Sequence, residues 1–145
     1  MASSTYSPVS TLDPPSLGAG HPVYANVTTV PLSDTVVSIT VTGQVATRPD
    51  GPIPGTLQEQ MGLCLFRLKT CLAAAGAGVH DTTRLMYYIT EKVYAEEGAL
   101  VQIVDTVAKW LEWHRPASCF LVVKGLSKPE FLCKFEAQAV VRRTV

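Results

Sequence analysis

The stretch LKTCLAAAGAGVHDTTRLMYYIT (residues 68–90) runs from the end of a helix into a buried strand. Its first half ends in AAAGAG, where Gly76 or Gly78 can adopt the left-handed conformation that closes many helices. Its second half contains Arg84–Thr90, a run of apolar and aromatic residues that is typical of a core strand. A helix followed directly by a buried strand predicts a domain in which helices pack against a sheet.

The helix has a clear start signal at residues 56–59, TLQE. A threonine followed three residues later by glutamate forms a capping box, in which each residue satisfies a free backbone N–H at the helix start. Apolar side chains then recur at helical spacing, which predicts one buried stripe. The stripe consists of Leu57, Met61, Cys64, Leu65, Leu68 and Leu72.

Patterns of apolar residues predict further elements on both sides of this unit. The predicted strands are Tyr24–Val30, Val36–Ala46, Ser118–Lys124 and Phe131–Val141, and a second helical stripe covers Leu100–Leu111, closed by Pro116. Gly43 interrupts its strand, which indicates a bulge or a close approach of backbone. Two amphipathic helices and a sheet of about five or six strands predict an α+β, two-layer domain with both helices on one face of the sheet.

The sheet face away from the helices is also predicted to be covered. Valine, tyrosine and phenylalanine occupy much of both faces of the predicted strands. Because the chain offers no further helix to cover the second face, we expect another subunit to pack there.

Residues 1–20 differ in composition from the rest of the chain. They hold five serines, three prolines and two glycines, and they show no packing pattern. The sequence therefore predicts a flexible N-terminal arm over residues 1–20 and one folded domain over residues 21–145.

The charge balance argues against a nucleic-acid surface. Twelve basic residues balance twelve acidic ones, and no basic stripe is visible. No apolar run is long enough to span a membrane, which takes about 18 residues. We therefore expect neither nucleic acid nor membrane as a partner.

The cysteines and histidines do not form a recognisable metal site. The four cysteines lie in apolar regular segments without C-x-x-C spacing, and the three histidines are scattered. Reduced thiols that behave as small apolar side chains are typical of a cytoplasmic protein. We expect no metal and no cofactor.

Four segments resemble, in order, motifs of the YjgF/Rid family of imine and enamine deaminases. VTGQ (residues 41–44) resembles the family's V-S-G-Q, and residues 68–90 resemble its L-x-x-x-L-x-x-A-G core. HRPASC (residues 114–119) resembles its R-P-A-R-S-C junction, and LCKFEAQAV (residues 132–140) resembles its I-E-I-E-A-I-A end. The resemblance covers about residues 20–142. It implies a βαββαβ subunit of a homotrimer with a central β-barrel, and a small-molecule ligand in each inter-subunit cleft.

The resemblance also identifies what this chain lacks. The family binds the substrate carboxylate with an arginine of the R-P-A-R-S-C segment, because a guanidinium pairs with a carboxylate through two parallel hydrogen bonds. In the register fixed by Pro116 and Leu126, that arginine is replaced by Ser118. Arg115 and Lys124 are the nearby cations, and the sequence leaves open whether either one substitutes for it.

The same register assigns the other candidate site residues. Glu136 corresponds to the family's acidic residue, which orients the hydrolytic water, although from the residues alone it would be a solvated strand glutamate. We expect Glu136 to be catalytic, and Tyr88 to face the cleft while its neighbour Tyr87 faces the core. A nucleophilic Cys119 with His114 as its base is disfavoured, since a helix end separates them. The expected substrate-binding residues are Tyr24, Thr42, Gly43, Tyr88, Ala117, Ser118 and Cys119.

Two functions remain open. The first is a divergent enzyme that hydrolyses an imine or enamine, or catalyses a related tautomerisation or elimination, in a specialised biosynthetic pathway (secondary metabolism). In this hypothesis Glu136 moves the proton, and Thr42 and Ser118 hydrogen-bond a substrate without a carboxylate. The second is a non-catalytic trimeric module that binds a small molecule or another protein.

Overall fold

The computed structural model describes residues 7–144. In chain order these residues form strands, two α-helices of 18 and 12 residues, and one short helix between them. The elements are β1 (Ser10–Leu12), β2 (Val27–Pro31), β3 (Val36–Gln44), α1 (Leu57–Ala74), β4 (Thr82–Thr90), α2 (Glu91–Tyr94), α3 (Ala99–Trp110), β5 (Ala117–Val123) and β6 (Cys133–Arg142).

The strands form one sheet in the order β1-β2-β3-β6-β4-β5. Neighbouring strands are antiparallel except β4 and β5, which are parallel and are joined through the two helices α2 and α3. Helix α1 packs on β3 and β6, and α3 lies beside it, with Gln102 donating a hydrogen bond to Gln58. The predicted α+β fold with both helices on one face is confirmed, whereas the trimer and its central barrel stay predictions.

Thr56 caps the start of α1 and Gly76 follows its end, as the sequence predicts, but the second bond of the capping box is not formed: the Glu59 carboxylate accepts from the Thr56 hydroxyl and not from its backbone N–H. The Oγ1 of Thr56 accepts a hydrogen bond from the Glu59 backbone N–H at 3.2 Å and donates one to the Glu59 carboxylate at 2.9 Å. Gly76, directly after the last turn, has φ +82°, which only glycine adopts without strain. These local signals fix where the helix begins and ends. The chain then enters β4 so that the apolar residues of β4 face the core.

The core lies between the helices and alternate residues of β3, β4 and β6. Tyr87 stacks between Phe120 and Phe135, at ring-centroid distances of 4.9 and 5.2 Å. Burial of an aromatic ring of this kind contributes about 1.5–3 kcal/mol to the stability of the fold. Tyr88 lies on the opposite face, so the prediction that the two tyrosines separate is confirmed.

The face of the sheet away from the helices carries both polar and apolar side chains. It includes Glu136 and the partly exposed Leu121 and Val140, which are 42% and 37% exposed. No helix within residues 7–144 packs against this face, which we call the open face. At its β3 edge the pairing with β6 shifts between Val41 and Gln44, so the predicted interruption at Gly43 is a bulge.

The N-terminal segment differs from the prediction of an arm without packing. Ser10–Leu12 forms β1 and pairs with β2, and Leu17, in a 3-10 turn over Pro15–Leu17, is buried. Backbone pairing at a sheet edge needs no alternating apolar pattern, which explains why the sequence pattern missed this strand. Residues 1–6 of the predicted arm lie outside the described residues.

A buried glutamine holds two loops against α1. The Nε2 of Gln60 donates to the carbonyl oxygens of Pro54 and Glu130, both at 2.8 Å. Its Oε1 accepts from the backbone N–H of Leu132, also at 2.8 Å. Gln60 is completely buried, so one side chain satisfies three loop backbone groups and positions the segment that precedes β6.

Candidate functional site

The first cluster of predicted site residues lies on the open face. Tyr88 on β4 donates a hydrogen bond from its hydroxyl to Glu136 Oε1 on β6, at 2.6 Å. This hydrogen bond, followed by partial desolvation, raises the pKa of Tyr88 above its ordinary value. The phenol therefore stays a donor over a wide pH range and fixes one oxygen of Glu136.

Around this pair the open face forms a small depression. Its volume is about 150 Å³, and Arg84, Met86, Thr40 and Gln138 line it together with Glu136. The second oxygen of Glu136 makes no hydrogen bond with another described residue. A half-buried carboxylate with one oxygen held and one oxygen free can accept a proton from a molecule bound on this face. Once protonated, it can donate that proton back.

Cys119 and Ala117 lie on the same face as this pair. In the parallel pairing of β4 and β5, Cys119 aligns with Met86 and Ala117 with Arg84. Cys119 is partly exposed. Three of the predicted residues, Cys119, Tyr88 and Glu136, therefore share one face across three neighbouring strands.

Ser118 lies on the other face of the sheet, so a single chain does not bring it to Glu136. It aligns with Leu85, which is completely buried under the helices. Side chains alternate between the faces of a strand, so Ser118 and Cys119 necessarily point in opposite directions. Ser118 lines a groove of about 300 Å³ beside α3, together with His114, Arg115 and Trp113.

The two cations left open by the sequence differ in position. Arg115 is exposed and lines the groove that contains Ser118. Lys124 follows the last residue of β5, is exposed, and lines none of the cavities described here. Of the two, only Arg115 lies where it could act with Ser118.

A third cavity holds Tyr24, Thr42 and Gly43. Its volume is about 230 Å³, and it lies between the β3 bulge and the loop that precedes β6. A Cβ on Gly43 would overlap Cε of Lys134, so the bulge also allows a close approach, as the sequence predicts. His21 stacks on Tyr24 with ring centroids 4.2 Å apart and covers one side of the tyrosine ring. The predicted site residues are thus divided among three places in a single chain.

The sequence reasoning missed Arg67, which lines the third cavity from α1. Its side chain is only 9% exposed. Nε donates to Gln44 Oε1 at 3.1 Å, and Nη1 donates to the Thr47 carbonyl at 3.2 Å. Burial lowers the pKa of this guanidinium from its usual high value. A signal was present, because Arg67 is three residues after Cys64 and four before Cys71, within the apolar stripe.

Residues 7–144 contain neither a cluster of metal ligands nor a helix suited to crossing a membrane. No group of three or more histidine, cysteine, aspartate or glutamate residues there is arranged to hold a metal ion. None of the helices in this part of the chain combines the length and apolar character needed to cross a membrane.

Comparison with known proteins finds a family and a set of similar folds. The family model described as endoribonuclease L-PSP matches residues 25–141. The YjgF gene product of E. coli is 22% identical, with a TM-score of 0.73 over 92% of this chain and 99% of that chain. The yeast protein YEO7 is 17% identical, with a TM-score of 0.74 over 94% of this chain and 99% of that chain. Both show the same fold.

A third solved structure is more similar in sequence. E. coli TdcF, whose crystal structure contains bound serine, is 27% identical, with a TM-score of 0.67 over 86% of this chain and 91% of that chain. A search of curated protein sequences gave no match.

Proposed function

Because the chain belongs to the endoribonuclease L-PSP family, which includes the YjgF/Rid proteins, we propose that it binds a small molecule in inter-subunit clefts and acts on it by acid/base chemistry. The observation that carries this proposal is the 2.6 Å hydrogen bond between Tyr88 and Glu136 on the open face. It holds one oxygen of a half-buried carboxylate and leaves the other for a substrate. In this proposal Glu136 is the proton-transfer group.

The proposed site needs two subunits. Ser118 and Glu136 point to opposite faces of one sheet, so they can meet only when a second chain supplies one of them. The exposed apolar residues Leu121 and Val140 on the open face favour such packing. We propose a homotrimer, in line with the family resemblance.

The edge position of β5 supports a role for its backbone. Among residues 7–144 of a single chain β5 pairs only with β4, so the backbone N–H groups on its outer side have no sheet partner there. In the proposed site the amides around Ala117–Cys119 stabilise negative charge that develops on the substrate, and the hydroxyls of Thr42 and Ser118 orient it. Glu136 accepts a proton from water as the water oxygen adds to the imine carbon, and passes this proton to the nitrogen to give a carbinolamine. It then accepts the second proton from the carbinolamine hydroxyl and passes it to the nitrogen as the C–N bond breaks, which releases ammonia and forms the carbonyl.

The proposed substrate is an imine, an enamine or a related small molecule without a carboxylate at the Ser118 position. A serine hydroxyl carries no charge and cannot form the paired hydrogen bonds that a carboxylate receives from arginine. The serine bound to E. coli TdcF supports a ligand of amino-acid size. The equal numbers of acidic and basic residues favour a small molecule over RNA.

The first test measures ammonia release from an imine of a simple aldehyde. Wild-type protein should accelerate hydrolysis over buffer, and Glu136→Gln should reduce that acceleration about 100-fold or more, as loss of a general acid/base does. Glu97→Gln, an exposed change on the loop before α3, serves as the matched control and should retain full activity. Equal rates for Glu136→Gln and wild type would refute the assigned role.

A second test asks whether the site lies between chains. Ser118→Phe and Glu136→Gln chains, each inactive alone, should regain part of the activity when they are unfolded and refolded together. Recovery is expected because some clefts then combine an intact Ser118 with an intact Glu136. Absence of recovery in assemblies shown to be mixed would contradict the inter-subunit site.

A non-catalytic module is the second candidate function, and one surface favours it. The outer side of α3 exposes Val101 and Val104, 74% and 52% exposed, next to Trp113 at 72%. An apolar patch of this kind fits protein recognition. This candidate predicts that wild-type protein gives no acceleration with any imine, while Val101→Lys abolishes capture of a protein partner.

A further inference from the structure

Two cavities meet beside α3 and form one groove that begins at Ser118. The inner cavity, of about 300 Å³, is the one that Ser118 lines, and the outer cavity, of about 360 Å³, follows the outer side of α3. Val104, Ala108 and Trp113 line both of them, so the two spaces adjoin. We call the joined space the α3 groove.

The lining of the α3 groove is mainly apolar. Leu100 and Val101 line its outer part, and Leu111 lines its inner part. The carboxylate of Asp105 borders the outer part, but it pairs with Lys109 at 2.9 Å. A charged group inside this groove would lose hydration without gaining a counter-charge, so the lining favours an uncharged ligand.

Trp113 is held at the wall of the groove by an unusual turn. Glu112 and Trp113 have φ +50° and +65°, a left-handed conformation that is costly for side chains of this size. Two hydrogen bonds hold the turn: His80 bonds to the Glu112 carboxylate at 2.7 Å, and His114 Nε2 donates to the Thr82 carbonyl at 2.7 Å. Trp113 is nonetheless 72% exposed, so the turn presents an aromatic surface that residues 7–144 leave largely uncovered.

The groove is polar at its inner end. Ser118, His114 and Arg115 line the inner part and do not reach the outer part. From Leu100 to Ala108 the outer part follows about 12 Å of helix, which is long enough for an aromatic ring on a short chain. The groove therefore matches a ligand with a polar head at Ser118 and an apolar body along α3.

We propose that the α3 groove binds the organic part of the substrate, which makes the substrate a neutral imine or enamine with a large apolar or aromatic substituent. This inference rests on the proposed function and specifies its substrate class. A serine at the anchor position removes the ion pair with a carboxylate, and burial of an apolar substituent against Trp113 and Val104 supplies binding energy instead. Continuity with Ser118 favours the substrate over a partner protein as the occupant.

The first measurement compares kcat/KM for the imines of hydrocinnamaldehyde and propionaldehyde, which differ by one phenyl ring. Wild-type protein should prefer the aromatic imine by about tenfold or more, the discrimination that an apolar pocket gives for added apolar groups. Trp113→Ala and Val104→Gln, both changes of exposed side chains, should reduce this ratio several-fold. Phe66→Ala is the matched control, because it removes an exposed aromatic ring that lines neither part of the groove, and it should keep the wild-type ratio.

The second measurement separates binding from catalysis. Calorimetric titration compares benzylacetone, a stable neutral ketone with a phenyl ring, with butanone, in wild type and in Glu136→Gln. Benzylacetone should bind about tenfold more tightly than butanone in both proteins, and Trp113→Ala should weaken its binding several-fold. This result would support the groove even if neither imine were hydrolysed, an outcome that would refute only the proposed catalysis.

Several outcomes would overturn the proposal. Equal kcat/KM values for the two imines that are turned over, or equal binding of the two ketones, would exclude recognition of the apolar substituent. Wild-type ratios in Trp113→Ala and Val104→Gln, each shown to be folded by circular dichroism, would exclude the groove as its site. Tighter binding of hydrocinnamate than of benzylacetone would show an acid held beside Arg115, and it would overturn the neutral substrate class.

Discussion

Replacement of Gln60 by methionine should destabilise the protein by about 2–4 kcal/mol. The change keeps the length and nearly the volume of the side chain, so it leaves no large cavity in α1. It removes three hydrogen bonds of 2.8 Å to the backbone of Pro54, Glu130 and Leu132. An unsatisfied buried polar group costs about 1–3 kcal/mol, and the half-buried or exposed loop carbonyls recover part of this by binding water.

The measurement is urea unfolding, followed by tryptophan fluorescence at one fixed protein concentration, because assembly adds to apparent stability. Gln58→Met is the matched control. It makes the same substitution two residues earlier, where the side chain is exposed and, within the described part of the chain, bonds only to Gln102 and Thr106. It should change stability by less than about 0.5 kcal/mol. If Gln60→Met unfolds within 0.5 kcal/mol of wild type, the role given to these three bonds is wrong.

Three further predictions concern the open face and α1. Because the hydrogen bond to Glu136 favours the neutral phenol, the stabilisation it gives is complete below the ordinary tyrosine pKa and is lost at higher pH. Glu136→Gln should therefore lower the pKa of Tyr88, measured by tyrosinate absorbance, and an unchanged pKa would contradict this coupling. In the native protein, iodoacetamide should label Cys119 before the three buried cysteines, and Cys119→Ser should remove this first label in mass spectra. Gly76→Ala should cost about 1 kcal/mol in thermal unfolding because of its positive φ, whereas Gly62→Ala, inside α1 with open space, should stabilise; equal effects would contradict the cap.

The fold was largely predictable because its signals are local. The cap at Thr56, the closing Gly76 and the apolar stripe of α1 depend on residues a few positions apart, and the structure confirms each of them. The short strand Ser10–Leu12 was missed because its pairing with β2 is made by backbone atoms, which leave no side-chain pattern.

The candidate site was less predictable because it depends on long-range register. The motif places Ser118 and Cys119 side by side, but only the pairing of β5 with β4 shows which of them shares a face with Glu136. Arg67 was missed for a related reason. A charged residue on a helix usually lies toward solvent, and its burial here depends on Gln44, 23 positions earlier in the chain.

The opposite orientation of Ser118 and Glu136 has a consequence for regulation. If catalysis requires both, a separated chain is inactive whatever its own conformation, and specific activity should fall steeply on dilution below the dissociation constant of the assembly. Expression level would then act as a threshold for turnover, and a chain impaired at both positions would reduce the output of the intact chains with which it assembles.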